Sequence, residues 1–125
     1  MIIRMLTENE FMKVVKVAED LGCSVVYHPT KKISFNTNMH ITVPYEFTLE
    51  NTYALAHEIG HVIDFRNGEL DHDYWLNDWS YRVNAEMSAW VHAYKVLKQL
   101  NIPLDHWQTH VNDKLSNYFL LPEVI

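Results

Sequence analysis

An α+β fold is predicted for this chain by two features of its sequence. Helical periodicity opens it, short β-branched and aromatic runs follow, and helical periodicity returns through most of the second half. Strands gathered into one stretch and helices into others are the mark of this class. A length of 125 residues with 48% hydrophobic side chains suits one domain, 1–125, with a real core.

The elements follow in order. From Glu8 to Leu21 the apolar residues Phe11, Val14, Val15, Ala18 and Leu21 recur at helical spacing, and Gly22 stops the helix. Cys23 to His28 is β-branched and aromatic, closed by Pro29, and Thr30, Lys31 and Lys32 read as a turn. Residues 33–36 alternate as a half-buried strand should, and Ile41 to Val43 before Pro44 makes a third strand. Together they predict a small antiparallel sheet or meander. A second helix starts at Thr48 as N-cap and runs through Leu55, Ile59 and Val62 to about Phe65. Residues 66–79 are acidic, aromatic and aperiodic, and read as a long loop. A third helix from about Ser80 carries Val83, Met87, Trp90, Val91, Tyr94, Leu97 and Leu100. Asp105 with Gln108 resembles a capping box that starts a fourth helix, lasting to about Tyr118.

Composition excludes several function classes. The net charge is −6, which repels phosphate backbones, so no nucleic-acid partner is expected. Apolar runs are far shorter than the ~20 residues that span a bilayer, so no membrane partner is expected either. The first residues lack the apolar core of a signal peptide, and the lone Cys23, read as a buried small hydrophobe, suits a reducing compartment. A cytoplasmic location is expected.

The eight histidines carry the functional signal. His57, Glu58 and His61 lie within the second helix, where residues four apart share a face, so both imidazoles can reach one ion. Glu58 lies about 100° round from His57 and flanks that face, placed to act on a water rather than to ligate. Chance produces this five-residue pattern in about one sequence in thirty of this composition. Gly60 costs a helix about 1 kcal/mol relative to Ala, so its place between the histidines asks for a reason such as close packing.

A catalytic zinc ion takes three protein ligands and leaves one position open. The candidates for the third are Asp64, Glu69, Asp71, His72, Asp73 and Glu86. Asp64, one turn past His61, suits a hydrogen bond that orients His61. The loop acids are less rigidly held. Glu86 has the apolar neighbours Met87, Ala89, Trp90 and Ala93, and a carboxylate facing a core needs a partner such as zinc. Its bland alternative is a solvated Glu paired with Arg82 at i−4.

Tyr53 to His61 (YALAHEIGH) resembles the aromatic-x-Leu-Ala-His-Glu-Leu-Gly-His segment of the compact ImmA/IrrE-type zinc peptidases, within the gluzincin-like group. Glu86 to Ala89, with Ala93, Val96 and Leu97, resembles that family's Glu-x-x-Ala helix, although the aromatic six residues after the Glu is His92 here. The resemblance implies a minimal zincin-like fold, two or three antiparallel strands against about four helices. It implies one zinc ion per chain held by His57, His61 and Glu86, with Glu58 as general base. The implied activity is that of an endopeptidase acting on a protein or peptide substrate. Members carried by prophages and mobile elements cleave repressors, and no regulatory segment is read in this chain, so control is expected from elsewhere, such as a regulatory protein partner. The alternative function is a zinc-stabilised binding module with little or no turnover.

Zincin chemistry also calls for a donor to the developing oxyanion. Tyr53, His72, Tyr74, Tyr81 and His92 are the candidates, and the sequence does not choose among them. His106 and His110 repeat the four-residue spacing without a flanking acid, and read as a surface pair. Trp75 and Trp79 either form a substrate wall or seal the edge of the core, and packing is the favoured reading.

Overall fold

A computed structural model describes residues 5–29, 33–36 and 38–119. Its elements are α1 (Glu8–Asp20), β1 (Ser24–Tyr27), β2 (Ser34–Asn36), β3 (His40–Val43), α2 (Leu49–Arg66), α3 (His72–Asn77), α4 (Trp79–Gln99) and α5 (Trp107–Ser116). The class is α+β, as predicted. The turn expected at residues 30–32 lies outside the described residues.

α1 buries Phe11, Val14, Val15 and Ala18, the face that its periodicity marks. Its N-terminus carries a capping box between Thr7 and Glu10, and the chain leaves it through Gly22 at φ +95°, a conformation open to glycine at little cost. α2 starts where Thr48 accepts a hydrogen bond from the Asn51 amide, as expected of an N-cap. Leu49, Leu55, Ile59 and Val62 along α2 reach the core formed with α1 and β3.

The sheet corrects the antiparallel expectation. Its order is β1-β3-β2; β3 pairs with β1 in parallel, Val25 opposite Ile41, and with β2 antiparallel, Ser34 opposite Thr42. Alternation along a strand reports which face is buried and carries no information about which strand lies beside it.

Three helical expectations are also corrected. Residues 66–79 are not one loop, since they contain α3, capped by the Asp71 carboxylate on the Tyr74 amide. Six residues are too few for a periodic signal, and α3 buries none of them. α5 is capped by no side chain; His106 precedes it in a left-handed conformation, so Asp105 and Gln108 form no capping box. The third predicted helix exists as α4, but Met87, Val91 and Tyr94 are exposed while Val83, Glu86, Ala89, Trp90, Ala93 and Leu97 are buried.

That rotation of α4 has a physical cause at its crossing with α2. A Cβ built on Gly60 would collide with the carbonyl oxygen of Ala89 and stand 2.7 Å from its Cα. The two backbones touch there, which fixes Ala89 inward and leaves Met87 and Val91 turned to solvent. This supplies the reason for Gly60 that its helical position demands. Gly60→Ala should therefore lower stability by about 2 kcal/mol, because overpacking outweighs the ~1 kcal/mol gain in helix propensity. Urea unfolding checks it: an unchanged midpoint would mean that the crossing is loose.

Candidate metal centre

α2 presents His57 and His61 from consecutive turns, and the close crossing brings Glu86 of α4 against both. Nε2 of His57 lies 2.7 Å and Nε2 of His61 3.1 Å from the same oxygen, Oε2 of Glu86. Glu86 is 2% exposed. The potential ligand atoms of the three residues lie within 4.8 Å of one another, and among the described residues no other group of three His, Cys, Asp or Glu does so. Donor atoms around a tetrahedral zinc, with bonds of about 2.0–2.1 Å, stand ~3.3 Å apart. A modest outward shift of the carboxylate reaches that spacing, so these residues could hold a metal ion.

Surrounding groups fix the geometry. The His57 ring stacks on Trp90, with centroids 4.2 Å apart and planes 16° from parallel. Oε1 of Glu58 lies 3.6 Å from Nδ1 of His57, so Glu58 flanks the cluster without joining it, as its position on the helix predicts. A cavity of about 430 Å³ opens on the cluster, with Glu58, Phe65, Leu70, Trp75 and Tyr118 among its walls.

The charges of these groups are coupled. Burial by itself would lower the His57 pKa, but hydrogen bonds to Glu58 and Glu86 and the charges of both outweigh it and raise the value from 6.5 to about 9. Burial would raise that of Glu86, yet hydrogen bonds from His57 and His61, with their charge, lower it from 4.5 to about 2. Without a metal, the cluster is an imidazolium–carboxylate pair.

Other sequence candidates separate cleanly. Arg82 does not pair with Glu86; its guanidinium donates to the carbonyls of Trp75 and Leu76 at the end of α3. Asp64 does not orient His61: its Oδ1 lies 2.9 Å from Nε2 of His92, while the buried Nδ1 of His61 has no hydrogen-bond partner among the described residues. Asp71 caps α3, and Glu69, Asp71 and Asp73 are exposed and away from the cluster. His72 lines the cavity and is not one of the three clustered donors. Tyr53 is buried and donates its hydroxyl to the carbonyl of Asp105 at 2.7 Å, and Tyr81 donates to that of Glu69. Tyr74 is exposed and not on the cavity wall.

Two expectations about aromatic residues change, and one residue is added. His106 is exposed, but His110 is half-buried with its ring against Tyr53 and Trp90, so the two are not a surface pair. Trp75 walls the cavity rather than only packing. Tyr118 was not among the candidates and also faces the cavity; burial, then the charge of Glu86 and a hydrogen bond to it, push its pKa up to about 12. No motif marks Tyr118, which stands just beyond α5 and far along the chain from every ligand. Cys23 is buried, as expected. No described helix is long and apolar enough to cross a membrane.

Comparisons with family models, with curated proteins and with solved structures returned no match.

Two measurements test this centre. Glu86→Gln should weaken zinc binding tenfold or more in a competition titration, whereas Glu69→Gln, Asp71→Asn and Asp73→Asn should not. Asp64→Asn, which touches no ligand, should change affinity only slightly; a larger loss there than at Glu86 would displace Glu86 as ligand. The second measurement uses pH. His57 is raised, so its contribution to the chelator-treated fold is complete below pH 6.5 and lost as pH rises through about 9. Glu86 is lowered, so its contribution holds above pH 4.5 and is lost as pH falls through about 2. The melting temperature of the metal-free protein should therefore fall between pH 6.5 and 9, and Glu86→Gln should flatten that fall.

Proposed function

We propose that this chain is a zinc-dependent metallopeptidase of the ImmA/IrrE-like type, with one zinc ion held by His57, His61 and Glu86 and with Glu58 as general base. The observation that supports it most is the place of Glu58, which opens on the same cavity as the three donors yet is not one of them. Glu58 also faces Nδ1 of His57, and a carboxylate on the cavity side of the donors is placed to take a proton from a water there. The sequence likenesses over 53–61 and 86–97 point the same way, and with them toward an endopeptidase acting on a protein, such as a regulator encoded on a mobile element.

A zinc ion at this position would supply Lewis acidity and bring the pKa of a bound water to about 7. The remaining steps belong to the chain. Glu58 accepts a proton as the water oxygen bonds to the scissile carbonyl carbon and the carbonyl π pair moves onto its oxygen. Glu58 then returns the proton to the amide nitrogen as the C–N bond breaks and the carbonyl re-forms. Trp90 holds the His57 ring in plane throughout. Phe65, Leu70 and Trp75 give the cavity an apolar wall that sheds water and suits an apolar substrate side chain.

The test is Glu58→Gln, which keeps the shape but cannot accept a proton. It should bind zinc like the wild type and lose peptide cleavage by at least two orders of magnitude in a digest of a diverse peptide library. Retained turnover would remove Glu58 as base. A zinc-loaded wild type that cleaves nothing would favour the binding-module alternative.

A further inference from the structure

Hydrolysis of a peptide leaves one charge to be accommodated, the negative oxygen that forms when the carbonyl π pair moves onto it. A hydrogen-bond donor already in place at that oxygen is worth about 10²–10³ in kcat. None of Tyr53, Tyr74, Tyr81 and His92 lies on the cavity wall, and Tyr53, Tyr81 and His92 bond instead to the Asp105 carbonyl, the Glu69 carbonyl and the Asp64 carboxylate. Three side chains able to donate remain on that wall beyond the metal cluster and Ser34, namely His72, Tyr118 and, through its indole N–H, Trp75.

Tyr118 is better held than His72. Its carbonyl accepts the indole N–H of Trp79 at 2.7 Å, and its amide donates to the carbonyl of Leu115 at 2.9 Å. Its ring meets Trp75 edge-on, with centroids 6.5 Å apart. These contacts tie the end of α5 to the start of α4 and present a half-buried phenol beside Glu86. His72, by contrast, is exposed on the short helix α3. A rigid neutral donor next to a metal ligand, facing the cavity that Glu58 also faces, is what an oxyanion requires.

We propose that the Tyr118 hydroxyl donates a hydrogen bond to the scissile carbonyl oxygen as negative charge develops there, and that Trp79 positions it. The phenol keeps its proton throughout, and the proton lost by water goes to Glu58. This proposal rests on the peptidase reading and adds a catalytic residue to it.

The experiment compares zinc-loaded wild type with Tyr118→Phe, His72→Ala and Trp79→Phe. It measures zinc affinity, cleavage of a peptide found in the library digest, and binding of a phosphinic analogue of the dipeptide Phe-Ala, whose tetrahedral oxyanion mimics the transition state. Tyr118→Phe, which also loses the hydrogen bond to Glu86, should weaken zinc binding by no more than 10–100-fold; fully loaded with zinc, it should keep KM, lose 10²–10³ in kcat, and bind the phosphinic peptide at least tenfold more weakly. Trp79→Phe should lose part of the same kcat and the same affinity. His72→Ala should do neither. Tyr118→Phe with wild-type kcat and wild-type analogue binding overturns the role of Tyr118 and leaves the peptidase intact; the same loss in His72→Ala instead transfers the role to His72. Should Tyr118→Phe fail to fold, Trp79→Phe decides, and no loss there overturns the proposal. A wild type that holds zinc but neither cleaves peptide nor binds the analogue overturns both the peptidase and this residue's part in it.

Discussion

The backbone contact between Gly60 and Ala89 is the constraint on which the rest of the site depends. Gly60 lies between His57 and His61 on α2, and Ala89 lies one turn after Glu86 on α4. Drawing the helices together at these two positions therefore places the Glu86 carboxylate on the imidazoles from the facing helix. A larger side chain at either position would separate the helices and pull the carboxylate away. One packing event thus sets both the tertiary crossing and the donor spacing. Gly60 costs helix stability locally, and the contact that it permits offsets that cost through buried area.

Burying Glu86 is the electrostatic consequence. A nearly inaccessible carboxylate is unfavourable unless something positive lies against it. Two imidazoles meet that need in the metal-free protein, and a divalent cation would meet it more fully. Protons and a bound metal would compete for the same Nε2 atoms, which would link metal affinity to pH. Asp64 and His92 form a separate pair further along the helices, so the buried carboxylate of α2 is satisfied away from the candidate metal donors.

Aromatic rings surround this arrangement and give it rigidity. Trp90 stacks on His57 and meets Trp107 and His110 of α5, while Tyr53 is locked by the Asp105 carbonyl. The end of α5 returns to the site through Trp79 and Tyr118. Elements from opposite ends of the second half of the chain therefore meet at one cavity.

What the sequence by itself determined is local. The buried face of α1, the Thr48 cap, the stop at Gly22 and the pairing of His57 with His61 on one helix face all follow from spacing within one element. Glu86 was also legible, because a carboxylate among apolar neighbours needs a partner wherever the chain places it. Tertiary structure decided what spacing within one element does not encode. It set β3 in parallel beside β1, since strand alternation is silent on neighbours. It turned Met87 and Val91 outward, since the close crossing at Ala89 fixes the rotation of α4, which a hydrophobic count within one helix does not report. It sent Asp64 to His92 rather than to His61, and it carried Tyr118 to the cavity. In each case the partner lies on another element, and its position depends on how closely two backbones approach.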